Sequence, residues 1–323
     1  MVKIILLILM VAFFAMNMGA SGVAPSFAAV YGARIIKKRK AAFLFGIFVV
    51  LGAVLLGRNV SLTLGRDLLP EGLLSFDTAL VIVSSASLSL FLANILKIPQ
   101  STSQLAVGAI IGVGLYFRQI YFKTLFFRII PLWIILPFLA YAATFLLYRT
   151  IYPPKNANLY IYEKLFAHEK KLKVTAVLVS CYVAFAVGTN NVGNAVGPLF
   201  GAGITGIMPG LLLVAPVFGI GAWLMGGRNL DVLGKKIVPL GIFSSSVVSF
   251  VTGTILILAS LLGVPQSLVQ LNTCSIFAVS ALKNGHRSTL GMRITRRVFI
   301  VWAITPVFSM AVSYLLLFMI NRF

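Results

Sequence analysis

The amino-acid sequence predicts an all-α polytopic membrane protein built from two inverted-topology repeats, and three observations carry that expectation. Of the 323 residues, 60% are hydrophobic and 10% charged, with a mean hydropathy of +1.03, which excludes a soluble domain and a disordered chain. The apolar residues gather in about ten stretches, each near the length that crosses a bilayer. Short segments then recur at offsets of 166–170 residues, which a duplication explains better than chance. The 27 Lys and Arg against six Asp and Glu give a net charge of +21. In a soluble protein that would suggest nucleic acid, but here the cations fall between apolar stretches and no nucleic-acid motif accompanies them.

Taken in order, the spans are expected at 4–33, 41–56, 73–96, 99–117, 125–148, 172–203, 207–226, 237–262, 265–282 and 298–320. The first follows a single Lys3 and is too long for a cleaved signal peptide, so it is expected to remain. The first and sixth would measure about 45 Å or more against a hydrocarbon core of about 30 Å. Both are therefore expected to be discontinuous, at Asn17–Pro25 and Gly188–Pro198, where Gly, Asn and Pro cluster. The fourth and ninth, which open on Pro-Gln-Ser, are expected to be discontinuous too. Cys181 and Cys274 lie in apolar spans without partners at metal or redox spacing and read as small buried residues.

Repeat one is expected over 1–150, a cytoplasmic linker over 151–171 and repeat two over 172–323. Gly57-Arg-Asn-Val-Ser-Leu-Thr-Leu-Gly65 is matched by Gly227-Arg-Asn-Leu-Asp-Val-Leu-Gly234, and Pro70 by Pro239. Ile98-Pro-Gln-Ser-Thr-Ser-Gln-Leu105 is echoed by Val264-Pro-Gln-Ser-Leu-Val-Gln-Leu271. Five spans per repeat is an odd number, so the second copy enters the membrane from the opposite side, as in many secondary transporters. With the N-terminus outside, the inside loops hold 20 Lys and Arg and the outside seven, which favours both termini outside. The expected location is the plasma membrane. Arg58-Asn59 and Arg228-Asn229 recur at corresponding loop positions and are expected to cap helix ends.

The candidate site is the stretch Gly188-Thr-Asn-Asn-Val-Gly-Asn194. Amides are costly in hydrocarbon unless they face a cavity or a ligand, and three of them within about a turn and a half exceed what helix packing needs. Packing is the competing reading, because Gly193, Gly197 and Gly201 form a small-xxx-small stripe. No cluster of His, Cys, Asp or Glu lies within the spans, so no catalytic, metal or cofactor chemistry is expected.

These segments resemble the inorganic phosphate transporter (PiT) family, whose repeats carry Gly-Ala-Asn-Asp-Val-Ala-Asn and, later, Pro-x-Ser-Thr-Thr-His. The first motif stands here as Gly188 to Asn194 and, much degraded, as Gly19-Ala-Ser-Gly-Val-Ala-Pro25; the second as Pro99-Gln-Ser-Thr-Ser-Gln104 and Pro265-Gln-Ser-Leu-Val-Gln270. The chain looks most like the bacterial sulfate permease branch. The resemblance implies a substrate site of Ser101, Thr102, Ser103, Asn190, Asn191, Asn194, Ser267, Ser21 and Gly22. Asn191 and Gly22 stand where the family motif has Asp.

That loss bears on the substrate. Phosphate near neutral pH keeps a proton to donate to a carboxylate, whereas sulfate only accepts hydrogen bonds, so amides, hydroxyls and helix N-termini suit sulfate. The expected function is secondary transport of a tetrahedral oxyanion, sulfate before phosphate, by alternating access; a channel or an enzyme fits less well. A proton is expected as companion ion before sodium, because hard cations want the missing charged oxygens. Asp77 and Asp231 are weak carrier candidates, with surface solvation the plainer reading. The remaining expected partners are the lipid bilayer and, for assembly, a second copy in a homodimer.

Overall fold

The computed structural model describes residues 1–96, 100–154, 156, 158–237, 240–291 and 293–322. Ile98, Pro99 and Pro239, quoted above as repeat markers, lie outside them. Within the described residues all regular structure is helical. The long helices are α1 (Val2–Gly32), α2 (Lys38–Leu56), α4 (Phe76–Ile95), α7 (Ile130–Arg149), α9 (Glu169–Asn191), α11 (Ile207–Ile237), α12 (Ile242–Leu261) and α15 (Arg293–Ile320). Shorter pieces are α3 (Arg58–Leu62), α5 (Thr102–Phe117), α6 (Phe122–Thr124), α8 (Leu159–Ala167), α10 (Gly193–Gly201), α13 (Leu268–Asn284) and α14 (His286–Gly291). Wide π-helical turns at Thr63–Asp67 and Leu125–Ile129 extend α3 and join α6 to α7. Among the described residues, eight helical segments are long and apolar enough to cross a membrane, the segment Glu169–Gly201 counting as one.

The expected breaks in the first, fourth and ninth spans need correction, while the sixth is interrupted inside its expected stretch. The first span is a single helix of 31 residues from Val2 to Gly32, with Pro25 inside it. Its small residues serve close packing: a Cβ on Gly19 would lie 2.0 Å from the Phe218 carbonyl oxygen of α11, so only glycine lets the two backbones approach. Asn17 closes onto the Phe13 carbonyl of its own helix and accepts from Asn94. The sixth span is interrupted at one residue, Val192, which keeps helical angles between α9 and α10. The fourth and ninth are short unbroken helices of 16 and 17 residues, each entered from extended backbone at Ser101 and Ser267. The two Gly-Arg-Asn segments are not loops either. Arg58 and Asn59 open α3, and Arg228 and Asn229 lie inside α11.

The helices pair across the two halves of the chain. α1 packs on α11 while α2 packs on α9, and α5 packs on α15 while α7 packs on α13. Ser309 and Ser313 of α15 donate to the Leu105 and Ala109 carbonyls of α5 at 2.8 Å, so these two run parallel. Trp133 donates to Pro265 O and Ser275 to Ala140 O, which sets α7 beside α13 in the same sense. Close approach recurs where α2 meets α9: Gly52 abuts Phe185 O and Gly188 abuts Val49 O, each leaving about 2 Å for a Cβ. Such contacts replace in lipid the hydrophobic drive that holds soluble helices together. They seat the amide-bearing stretch of α9 and α10 in the interior.

Candidate functional site

The sequence-predicted residues of the two Pro-Gln-Ser segments meet the amides of α9 and α10 in the protein interior. Ser101 caps α5, its hydroxyl accepting from Gln104 N at 3.2 Å; Ser267 caps α13 in the same way through Gln270 N at 3.2 Å. Ser103, in the first turn of α5, donates to Gln266 O, just before α13, at 3.0 Å. Two helix N-termini are thereby held side by side. Their first amide N–H groups have no acceptor within the helix, so the positive ends of two helix dipoles share one place.

Hydrogen-bond logic assigns each asparagine a different task. Asn190 donates to Val264 O at 3.0 Å and to Ser260 at 2.9 Å, and accepts from Gln266 N at 2.9 Å. Because a carbonyl only accepts and an N–H only donates, this amide cannot turn. Its side chain pins the extended strand of backbone leading into α13. Asn194 donates to Ser103 at 3.1 Å. Ser103 has already given its single proton to Gln266 O, so Asn194 must present its nitrogen there, and its buried carbonyl oxygen is left without a donor among the described residues. Asn191 donates to Thr102 at 3.3 Å while its carbonyl oxygen has no partner among the described residues. The Thr102 hydroxyl can donate or accept, so the Asn191 amide alone can turn and offer N–H inward.

Repeat one contributes less through its first motif. Ser21 is half-buried and donates to Met18 O of its own helix, while Gly22 is packed against Phe45 and Val187. Val187 lies one turn before Asn191, so Gly22 stands beside the site, but no hydrogen bond joins either residue to the hydroxyls of α5 or α13 among the described residues. The glycine stripe is also real and occupies another face: Gly193, Gly197 and Gly201 pack on Ser61, Leu64 and Gly65 of α3 and its π-turn. The packing and polar-site readings are thus both present: the glycines of α10 pack on α3 and its π-turn, while Asn194 reaches Ser103 of α5.

Four glutamines went unassigned in the sequence reading. Among the described residues, Gln104 and Gln270 are buried with carbonyl oxygens lacking donors; Gln266 has both amide atoms without partners, and Gln100 its oxygen. Each bears a cost of about 1–3 kcal/mol if no ligand or water answers it. The signal was available, because Gln100 and Gln266, and Gln104 and Gln270, occupy matching positions in the two segments. The interior therefore offers N–H groups and hydroxyls suited to an oxyanion, and carbonyl oxygens at Asn194, Gln104 and Gln270 able to hold a hard cation.

Carboxylates lie elsewhere. Asp77 pairs with Lys3 at 2.8 Å, Asp67 with Arg128 at 3.3 Å, Glu169 with Lys173 at 2.5 Å, and Asp231 with Lys38 and the Tyr31 hydroxyl. The side chains of Asp77 and Asp231 are 52% and 42% exposed, in ion pairs rather than in free solvation. Asn59 donates to Leu261 O, closing the end of α12, and Asn229 donates to Ala20 O of α1. The expectation that these asparagines cap helix ends therefore holds for Asn59, whereas Asn229 binds the middle of a neighbouring helix.

A profile described as the phosphate transporter family matches residues 18–313, across both motif pairs. The chain belongs to the phosphate transporter family. It is 34% identical over 94% of its length to the sulfate permease CysP of Bacillus subtilis, covering 84% of that protein. Over 44% of the chain it is 32% identical to the human sodium-dependent phosphate transporter 2, of which it spans 24%. A solved structure titled "The sodium-dependent phosphate transporter" superposes with a TM-score of 0.84 at 24% identity, covering 98% of this chain and 99% of that one; at that identity the likeness concerns the fold. This family member is accordingly a multi-pass membrane transporter and not an enzyme.

Proposed function

We propose that the chain imports sulfate by alternating access, with Ser101, Thr102, Asn191 and the N-termini of α5 and α13 holding the anion. One observation carries this reading: at the motif centre the chain offers Asn191, an amide free to turn on Thr102, where the family motif places Asp. A site of N–H donors and hydroxyls without a carboxylate suits an oxyanion that carries no proton. The identity to the sulfate permease of Bacillus subtilis supports it. Ser103, Asn194 and Ser267 shape the pocket, Asn190 fixes the backbone before α13, and Ser21 and Gly22 border it from α1.

The repeats are proposed to be related by inverted topology. The reciprocal pairing of α1 with α11 and α2 with α9, and of α5 with α15 and α7 with α13, supports that relation. If a fourth span runs parallel to a tenth, and fourth and fifth spans alternate within a repeat, the two fourth spans oppose each other. Both termini outside, a plasma-membrane location and a homodimer complete the proposal.

A proton is the proposed coupling ion, since the charged ligands of sodium are missing from the motif positions. A sodium reading is favoured by one observation, the fixed orphan carbonyl of Asn194. Uptake of labelled sulfate and phosphate into proteoliposomes under imposed proton or sodium gradients tests all of this. Sulfate accumulation driven by a proton gradient is expected; accumulation of phosphate alone would overturn the substrate, and dependence on sodium alone would overturn the coupling.

A further inference from the structure

Helices α2 and α11 run antiparallel, with Gly57 against Leu211 at one end, Gly46 on Gly219 in the middle and Gly227 near the Lys38 stem at the other. At the crossing a Cβ on either glycine would lie 2.9–3.0 Å from the other's Cα. Above and below such a tight crossing two helices must splay. Along this pair the splay leaves a groove of about 560 Å³, within the range of about 300–1,000 Å³ that holds small ligands. Its walls are apolar and outward-facing: Phe43, Ile47 and Leu51 from α2, and Ile220, Trp223 and Leu224 from α11, all exposed.

One end of the groove is cationic. Arg39 and Lys40 stand four and three residues before Phe43, on the helical stripe that continues the groove wall. Arg228 stands four residues after Leu224 and continues the opposite wall. All three are exposed, and none forms an ion pair among the described residues. The nearby acid, Asp231, is already taken by Lys38 and Tyr31. These cations cap an apolar trough, and among the described residues no anion pairs with them.

We propose that this groove is a binding site for an anionic phospholipid, with the phosphate on Arg39, Lys40 and Arg228 and an acyl chain along Phe43, Ile47, Ile220 and Trp223. Charge decides between lipid and a second copy of the chain. A two-fold interface on this face, with its axis along the membrane normal, would bring six like charges together, which is repulsive. An anionic headgroup neutralises them instead. The lipid would brace α2, which on its other side holds α9 through Gly52 and Gly188.

The test uses the full chain purified in an uncharged detergent, with phosphatidylglycerol or phosphatidylcholine added, read by native mass spectrometry and thermal melting. One phosphatidylglycerol retained per chain, with a rise in Tm that phosphatidylcholine does not reproduce, is expected. The combined variant R39Q/K40Q/R228Q should bind phosphatidylglycerol about ten-fold more weakly or worse. Ile220→Trp, which narrows the trough with every charge intact, should weaken it as well. Equal retention of both lipids, or wild-type affinity in the triple variant, would overturn the site. An effect of the triple variant without one of Ile220→Trp would reduce it to headgroup adhesion and overturn the groove. So would disulfide linkage of two copies through Ile47→Cys with no lipid retained. Should the triple variant not remain monodisperse, Arg39→Gln and Ile220→Trp separately decide the question.

Discussion

Asn191→Asp isolates charge at nearly constant shape. A sulfate in reach of Thr102 would meet the new carboxylate at about 4 Å, where two unit charges repel by about 4 kcal/mol at an effective dielectric near 20 and a dianion by about twice that. The site can avoid this by protonating the carboxyl, which costs about 1.4 kcal/mol for each pH unit above its ordinary value near 3.9. At pH 8 that route costs about 5.6 kcal/mol and at pH 6 about 3 kcal/mol, both below the repulsion, so protonation sets the penalty. Sulfate affinity should fall about 10⁴-fold at pH 8 and recover about tenfold for each unit of acidification, to about 10²-fold at pH 6. The sign follows from the proton taken up with the anion: binding strengthens as pH falls. Concentration-dependent uptake of labelled sulfate in proteoliposomes at pH 6, 7 and 8, at equal protein abundance, measures this slope. Wild-type affinity at pH 8, or a penalty independent of pH, would place Asn191 away from the anion and refute the reasoning.

Ser101→Ala with Thr102→Ala should weaken sulfate by about 1.5–3 kcal/mol for each charge-assisted bond lost, read as a raised KM with normal membrane abundance; unchanged uptake would reduce Ser101 to a helix cap. Asn190→Ala strands Val264 O and Gln266 N in the interior, and at roughly 1–3 kcal/mol each it should lower Tm and abundance, whereas a purely ligand-binding role would lower affinity alone. Gly188→Ala forces a Cβ to 2.1 Å from Val49 O and should abolish stable insertion as judged by membrane abundance. A cysteine placed at Lys38 should label only from the cytoplasmic side; labelling only from outside would reverse the proposed topology.

Composition and periodicity determined that the chain spans a membrane as helices, because apolar length is a local property of sequence and lipid admits few alternatives. The motif pairs likewise marked Asn191, Asn194, Ser101, Ser103 and Ser267, since polar residues in apolar spans stand out one by one. Tertiary structure alone decided what the small residues do. Gly19 reads from the sequence as a helix breaker, yet it is the contact that admits Phe218 O, and α1 stays whole because its partner lies 199 residues away. The same holds for the asparagines. Three amides within five residues look equivalent in sequence, but the direction of each neighbouring donor and acceptor makes Asn190 a brace, Asn194 a fixed acceptor and Asn191 the one that can turn. Hydrogen-bond direction is set by groups brought together from distant parts of the chain, and a linear sequence does not carry it.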